Sequence, residues 1–277
     1  MKVEFSIVVC VEFMKNNVRL IELAGESNTG SLRRSNEDHY LVCQLHGTEM
    51  ALAVVSDGIG GHSMGEIASM ICCRELFHAA VEELGTGVDA GEFFRRQLLA
   101  VNRKLFDRNY REARQRPMGC TAVAALFERD KITVASVGDS RFYKYSFRDE
   151  VLTQITRDHR PDEAMLEEIA VRYHQDKKEL RSRLLVNALG TKYAPEVDIF
   201  HLDVDKDAVY LLCSDGLTGQ TPDGVISRVL AQPADRVRKF TSGLIREALL
   251  HGARDNVTVV CARYNVNVSN FVKLNIL

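Results

Sequence analysis

The sequence predicts an α+β fold in which antiparallel β-sheets are covered by helices. Apolar runs of strand length follow one another at hairpin-length steps through the middle of the chain, whereas the long helical patterns form separate blocks. This order is typical of a β-sandwich flanked by helices and differs from alternating β-α-β units. With only five prolines and no Gly/Ser tract, the sequence shows no interdomain linker, so residues 1–277 are predicted to form one domain.

The predicted strands are apolar runs bounded by turn-forming residues. The first two flank the turn-prone segment Lys15–Asn17, which predicts an N-terminal hairpin. The predicted strands cover residues 3–13, 18–24, 38–45, 50–56, 121–127, 132–137, 141–146, 209–214 and 257–264.

Three stretches carry apolar residues at the spacing of one helix face. We interpret these stripes as core packing, which is the commonest role of such a pattern. The stripes consist of Ala68, Cys72, Leu76 and Ala79; of Phe94, Leu98, Val101 and Leu105; and of Val237, Phe240, Leu244 and Ala248.

The composition is that of a globular protein and argues against several functional classes. Hydrophobic residues make up 45% of the chain, charged residues make up 27%, and the formal net charge is −2. A chain with this charge has no overall electrostatic attraction to nucleic acid or to an anionic membrane. The apolar N-terminal run is limited by Glu4 and Glu12 and is too short to span a membrane.

Cysteine usage indicates a reducing compartment. The seven cysteines include no C-x-x-C pair, and most of them lie inside apolar segments, where cysteine packs as a small hydrophobic residue. This pattern favours free thiols over a disulfide framework. We therefore expect a cytoplasmic protein.

Four aspartates lie where predicted strands begin or end. Asp57 and Asp215 each follow a buried apolar run and precede glycine, Asp139 follows a third strand, and Asp255 precedes a fourth. A carboxylate in such a place is held at the edge of the core, and glycine lets the backbone turn away. Converging carboxylates repel one another unless cations neutralise them, and Mg²⁺ and Mn²⁺ prefer oxygen ligands. The sequence therefore predicts a site for divalent metal ions.

A glycine-rich turn follows Asp57 and supplies further candidate groups. The carbonyl of Gly58 is a candidate neutral metal ligand. His62 lies where a helix is predicted to start, and its position beside the carboxylates favours a proton donor over a surface or capping residue.

Upstream of this turn, the sequence places two arginines close to a glutamate. Arg33 and Arg34 are candidates for binding two phosphate oxygens through a guanidinium group, although a surface ion pair is the commoner role of such a residue. Glu37 is a further candidate oxygen ligand, or else a strand residue that faces solvent.

Eight short motifs occur in a fixed order between residues 33 and 260. Each motif alone is weak evidence, whereas eight in register are highly specific. With these motifs the chain resembles the metal-dependent protein phosphatases of type 2C, in their compact bacterial form. The matching stretches are R-S-N-E-D around Glu37, D-G-I-G-G-H-x-x-G-E-x-A-S from Asp57, G-C-T-A at 119–122, V-G-D-S-R at 137–141, T-R-D-H at 156–159, N-A-L-G at 187–190, S-D-G-L at 214–217 and D-N-V-T-V-V at 255–260.

The resemblance implies a four-layer αββα sandwich with a two-metal centre in a cleft at one end. In that arrangement Asp57 bridges both ions. Asp215 and Asp255 complete the ligands of one ion, and Glu37 and the Gly58 carbonyl complete those of the other.

The resemblance also implies roles for residues around the two ions. Asp139 matches the position of an additional, weaker metal site that it shares with Asp215. Arg33 matches the phosphate-binding arginine, and Arg34 is the weaker candidate for that role. His62 falls at the position of the general acid, and Asn256 is expected to support its neighbour Asp255.

These matches imply a Mn²⁺- or Mg²⁺-dependent serine/threonine protein phosphatase that attacks with a metal-activated water and forms no covalent phosphoenzyme. Its expected partners are phosphorylated protein substrates of a serine/threonine kinase, with neither nucleic acid nor a membrane. One alternative is a pseudophosphatase that binds phosphoproteins, whose mark would be a missing metal carboxylate. A second alternative, a phosphodiesterase or nuclease, is disfavoured because no basic stripe interleaved with aromatic residues is present.

Three segments depart from the family pattern. A charged flap at about 160–185 holds 12 charged residues among the 24 from Arg160 to Arg183, and it is expected to border the cleft or to form a solvated helix or loop. The first 24 residues and the C-terminal extension, 265–277, match no motif. Substrate choice is therefore the property that transfers least well from the family.

Overall fold

A computed structural model describes residues 7–9, 21–60, 64–112, 117–178, 180 and 184–265. Its elements, in chain order, are β1 (Ile7–Val9), β2 (Ile21–Asn28), β3 (His39–Gln44), β4 (Ala51–Ser56), β5 (Gly58–Ile59), α1 (Met64–Glu83), α2 (Ala90–Arg111), β6 (Gly119–Cys120), β7 (Ala122–Phe127), β8 (Lys131–Val137), β9 (Arg141–Ser146), β10 (Val151–Gln154), α3 (Glu163–Tyr173), β11 (Asp198–Asp203), β12 (Ala208–Cys213), α4 (Asp215–Thr218), α5 (Asp223–Leu230), α6 (Arg238–Leu250) and β13 (Val257–Tyr264).

Two β-sheets form the middle of the molecule. One has the strand order β1-β3-β4-β7-β8-β11, and the other has the order β10-β9-β12-β13-β2. All pairs within them are antiparallel except β1 with β3, which is parallel. A separate short pair joins β5 to β6 directly after Asp57. The predicted α+β sandwich is confirmed.

The central strands are buried on both faces, which explains their continuous apolar runs. On β12, Tyr210 and Leu212 pack between the two sheets, whereas Val209, Leu211 and Cys213 pack against the helices outside. A strand with one face in solvent would alternate apolar with polar residues, but a strand between two packing layers does not. Each such strand therefore ends at a rigid point of the core, where a polar residue can be held in place.

Helices cover the outer face of each sheet and complete the four layers. The helices α1 and α2 pack on the six-stranded sheet, and α5 and α6 pack on the five-stranded sheet. In α1 the predicted stripe is buried at Ala68, Cys72 and Leu76, and Ala80 rather than Ala79 continues it. No helix within the described ranges combines the length and apolar composition that a membrane span requires.

The predicted N-terminal hairpin is wrong. Strand β1 lies in the six-stranded sheet beside β3, whereas β2 lies in the other sheet and pairs with β13 along its whole length, from Ile21 with Tyr264 to Asn28 with Val257. The turn-prone residues between the two strands suggested a local pairing, but the long pairing with β13 decides where β2 goes.

Four strands were not predicted: β5 and β6, which are two residues long and pair with each other, and the edge strands β10 and β11. In β10 three of the four residues are exposed, and β11 has no fully buried residue. Edge strands have one neighbour and carry polar residues, so their apolar signal in the sequence is weak.

The start of the charged flap forms a solvated helix. Asp162 caps α3 by accepting a hydrogen bond from the Met165 N–H at 2.8 Å, and Leu166 is the buried residue of the helix. The flap is therefore anchored by few apolar contacts within its described part.

Candidate metal centre

Asp57 lies directly after β4 at the centre of a group of carboxylates. Its N–H donates to Thr121 Oγ1 at 3.0 Å and its carbonyl accepts from the Thr121 N–H at 2.8 Å, so its backbone is fixed to the residue before β7. Burial raises the pKa of Asp57 well above its usual value, and neighbouring negative charges raise it further. The charges belong to Asp38, Asp215, Asp139 and Asp255.

Asp215 and Asp255 are brought together by a close backbone contact. Asp215 is the first residue of α4, and Asp255 precedes β13. A Cβ on Gly216 would overlap the carbonyl oxygen of Asn256, so only glycine lets α4 approach the start of β13 this closely. Burial and the charge of Asp255 raise the pKa of Asp215.

Asn256 fastens the segment that carries Glu37 to the start of β13. Its side-chain oxygen accepts from the Glu37 N–H at 2.8 Å, and its amide donates to the carbonyls of Thr29 at 2.8 Å and Ser35 at 2.9 Å. Its own N–H donates to the carboxylate of Asp255 at 2.8 Å. Asn256 therefore positions groups on both sides of the centre, which is more than the sequence suggested.

Glu37 and the Gly58 carbonyl meet at the start of α1. A Cβ on Gly65 would overlap the Glu37 carboxylate and would lie 2.8 Å from the Gly58 carbonyl oxygen, so both oxygens point at the same glycine. Ser69 of α1 also donates to the Glu37 carbonyl at 2.5 Å. The two oxygen atoms predicted to share one ion thus both lie close to Gly65.

Arg33 lies at the rim of this cluster. Its Nη2 donates to the Asp255 carboxylate at 2.7 Å, and 51% of its side chain is exposed. Of the two neighbouring arginines, Arg33 is the one whose contact with the cluster the structure describes.

Asp139 lies where the chain crosses from β8 in one sheet to β9 in the other. Burial, together with the charge of Asp215, raises the pKa of Asp139 to about 6. Arg160 contacts both carboxylates: its Nη2 lies 2.5 Å from Asp139 Oδ2 and 3.2 Å from Asp215 Oδ2. Arg160 was not among the residues predicted for the site, because in the sequence it marks only the start of the charged flap.

Asp38 is a second residue of the cluster that the sequence analysis did not select. It is 5% exposed, and its Oδ2 accepts a hydrogen bond from Ser214 Oγ at 2.7 Å. Burial raises the pKa of Asp38 to about 7, and the charges of Asp215 and Asp255 act in the same direction. Its signal in the sequence was its place in R-S-N-E-D, directly after the predicted ligand Glu37.

His62, the predicted proton donor, lies outside the described residues. Its role as a proton donor therefore remains a prediction from the sequence. The helix α1, at whose start His62 was predicted to lie, begins two residues later, at Met64.

The donor atoms of the cluster fit a hard divalent cation. Within the described ranges, no three Asp, Glu, His or Cys side chains lie close enough to hold an ion as they stand. Arg33 pairs with Asp255, and Arg160 pairs with Asp139 and Asp215. The candidate donors are nevertheless all oxygen atoms, including the Gly58 carbonyl, and this is the set that Mg²⁺ and Mn²⁺ prefer. The carboxylates around Asp57 repel one another, and a bound cation of this kind would neutralise their negative charge.

The known proteins to which this chain is similar are protein phosphatases. The family model described as Protein phosphatase 2C matches residues 31–241. The serine/threonine phosphatase stp of Listeria welshimeri is 30% identical over 242 residues, which is 87% of this chain and 94% of the relative.

Two solved structures show the same fold. The serine/threonine phosphatase Stp1 from Staphylococcus aureus matches with a TM-score of 0.76 at 27% identity, covering 91% of this chain and 100% of that one. The catalytic domain of the phosphatase PstP, in complex with two manganese ions, matches with a TM-score of 0.69 at 31% identity, covering 88% of this chain and 97% of that one. Since the family model spans most of the chain and the sandwich places the acidic residues together, this chain belongs to the protein phosphatase 2C family.

Proposed function

We propose that this chain removes phosphate from phosphoserine and phosphothreonine residues of proteins at a centre of two divalent cations, Mn²⁺ or Mg²⁺. The observation that carries the proposal is the convergence of acidic side chains on Asp57 at the end of the sandwich. The structure of the related PstP catalytic domain, which contains two manganese ions, supports the number of ions.

We infer the ligand assignment from the matching motifs, and the positions of the oxygen atoms support it. Asp57 would bind both ions, Asp215 and Asp255 would bind one, and Glu37 with the Gly58 carbonyl would bind the other. The contacts of Gly216 with Asn256 and of Gly65 with Glu37 support this division, because each brings one subset of donors together.

Divalent cations held by these residues would lower the pKa of an attacking water to near neutrality and would polarise the oxygens of the phosphate ester. Arg33 binds the phosphate: its described contact with Asp255 uses Nη2, and a guanidinium has five N–H donors. Asp255 orients that guanidinium at the rim of the centre. His62 donates a proton to the departing serine or threonine oxygen.

The pseudophosphatase alternative is not favoured. The relatives that match over most of the chain are named as phosphatases, and Glu37, Asp57, Asp215 and Asp255 are all present. A module that only binds phosphoproteins has no need of an intact acidic cluster.

The substrates are phosphoproteins, and we propose that they are made by a serine/threonine kinase in the same compartment. That compartment is the cytoplasm, which is supported by the six cysteines of the described ranges: all are buried and unpaired. A single phosphatase domain over residues 1–277 is supported by one apolar layer that both sheets share.

The test is hydrolysis of phosphothreonine peptides and of a small aryl phosphate with Mn²⁺, with Mg²⁺ and with EDTA. We expect activity that requires the metal and that falls by more than about 100-fold in Asp57→Asn, since even residues behind the metal ligands typically contribute 10- to 100-fold. Asp207→Asn, an exposed aspartate on the loop before β12, is the matched control. Activity in EDTA, or full activity of folded Asp57→Asn, would refute the proposal.

A further inference from the structure

One arginine occupies the space between two acidic residues of the centre. Arg160 Nη2 lies 2.5 Å from Asp139 Oδ2 and 3.2 Å from Asp215 Oδ2, so a single amino group is shared by both carboxylates. The side chain of Arg160 is 25% exposed, and that of Asp139 is 8% exposed. An ion pair with this much burial is screened far less than a surface pair.

The backbone beside Arg160 is fixed to the backbone beside Asp139. The N–H of His159 donates to the carbonyl of Gly138 at 2.9 Å, and the Gly138 N–H donates to His159 Nδ1 at 3.1 Å. His159 is itself buried, and its Nε2 lies 3.1 Å from Asp198 Oδ2. Arg160 therefore starts from a rigid position next to Asp139, although it begins a charged and largely solvated flap.

A third acidic residue near Arg160, Asp158, is already neutralised by a different arginine. Asp158 accepts two hydrogen bonds from Arg141, at 2.8 and 2.7 Å, in the bidentate geometry that is strongest for this pair. The Nε of Arg160 lies 4.0 Å from Asp158, well beyond hydrogen-bond distance. The two shortest ion pairs that the structure describes for Arg160 are thus those with Asp139 and Asp215.

We propose that Arg160 is the built-in cation of the Asp139–Asp215 pair and takes the place of a third metal ion in this chain. The inference rests on the proposed two-metal function and makes it more specific: two ions bind at Asp57, and the additional site is filled by a side chain. A divalent ion between Asp139 and Asp215 would have to displace the guanidinium or lie against a like charge.

A guanidinium group, unlike a metal ion, cannot dissociate from its site into solution. It remains protonated at every pH at which the protein is folded, and it is covalently attached. The neutralisation of Asp139 is therefore independent of metal concentration. Because Arg160 begins the flap, the contact also ties the flap to the centre.

The test counts bound ions in the full chain. Equilibrium dialysis with Mn²⁺ is expected to give two ions for the wild type and three for Arg160→Ala, with the third bound more weakly. Arg160→Lys keeps the charge and is expected to bind two. Arg157→Ala, which removes an exposed arginine paired with Glu196 and Asp198, is the matched control and is expected to bind two.

Asp139→Asn separates the possible results. In the wild-type background it is expected to leave two ions, and in the Arg160→Ala background it is expected to remove the third. Three ions in the wild type, with the third lost in Asp139→Asn, would overturn the inference while leaving the two-metal centre intact. A folded Arg160→Ala that still binds two ions would overturn it as well. Fewer than two ions in the wild type would overturn the proposed function and this inference with it.

Anomalous diffraction from wild-type crystals grown with Mn²⁺ locates each bound ion directly. This measurement does not require that any variant folds. The wild type is expected to show two peaks beside Asp57 and the guanidinium of Arg160 between Asp139 and Asp215. A manganese peak between those two carboxylates in the wild type would contradict the inference.

Discussion

Asn256 offers a test of how the metal centre is positioned. Its side chain makes three hydrogen bonds to backbone groups, at 2.8 Å to the Glu37 N–H, 2.8 Å to the Thr29 carbonyl and 2.9 Å to the Ser35 carbonyl. Asn256→Ala removes all three in a residue that is 5% exposed. At roughly 1 kcal/mol each, their loss is expected to lower the free energy of unfolding by about 3 kcal/mol.

The same substitution is expected to weaken metal binding. The segment that it releases carries Arg33 and Glu37, so the loss should reduce Mn²⁺ affinity by about 10- to 100-fold, as for other residues that orient metal ligands. Urea denaturation in EDTA measures the stability, and calorimetric titration with Mn²⁺ measures the affinity.

Asn102 is a matched control for this prediction. It is 2% exposed, and its side chain also makes three backbone hydrogen bonds, to Gly190 at 2.7 Å, Lys192 at 3.0 Å and Tyr193 at 3.1 Å. Asn102→Ala is expected to cost about the same stability, by the same count of hydrogen bonds, and to leave Mn²⁺ affinity unchanged. Equal Mn²⁺ affinity in Asn256→Ala and the wild type, or an equal loss in both variants, would refute the reasoning.

Three further predictions concern charge, packing and metal. In EDTA the free energy of unfolding is expected to fall as the pH rises from about 4 to 7. The pKa in the folded protein is about 7 for Asp38 and about 6 for Asp139, so the folded protein binds more protons than the unfolded chain in this range. Asp38→Asn removes one of these groups and should make the free energy of unfolding fall less steeply with pH. Urea midpoints across the range check this, and a rising profile would contradict it. Gly216→Ala should destabilise the protein by about 1–3 kcal/mol, because the added Cβ would overlap the Asn256 carbonyl. Gly224→Ala is the control and should not destabilise the protein, because nothing lies near its Cβ. Thermal unfolding of both variants measures the difference. Mn²⁺ at 100 times its dissociation constant should raise the free energy of unfolding by about 2.7 kcal/mol for each ion bound, and an equal rise in Asp57→Asn would show that the ions bind elsewhere.

The strands that carry the centre were predictable because their signal is local. The run 51–55 is apolar throughout since it packs on both faces, and the following Ser56-Asp57-Gly58 marks its end. The same reasoning located β12 and Asp215. The edge strands β10 and β11 were missed because they lack such runs.

The partners of the acidic residues were not predictable in the same way. Arg160 was noted only as one of many charges in the flap, and its contact with Asp139 and Asp215 depends on the hydrogen bonds that fix His159 to Gly138. Asp38 is adjacent in sequence to a predicted ligand, yet its burial against Ser214 depends on how the segment before β3 meets the end of β12.

The sequence by itself determined the sandwich of strands and helices, the acidic residues at the strand ends and the family, because each is carried by residues close together in the chain. Only the tertiary structure decided that β2 pairs with β13, that Asn256 holds the Glu37 segment and that Arg160 neutralises Asp139 and Asp215. The physical reason is that these contacts join residues far apart in the chain. Their geometry is set by the packing of whole sheets and helices, and local patterns of apolar and polar residues do not encode it.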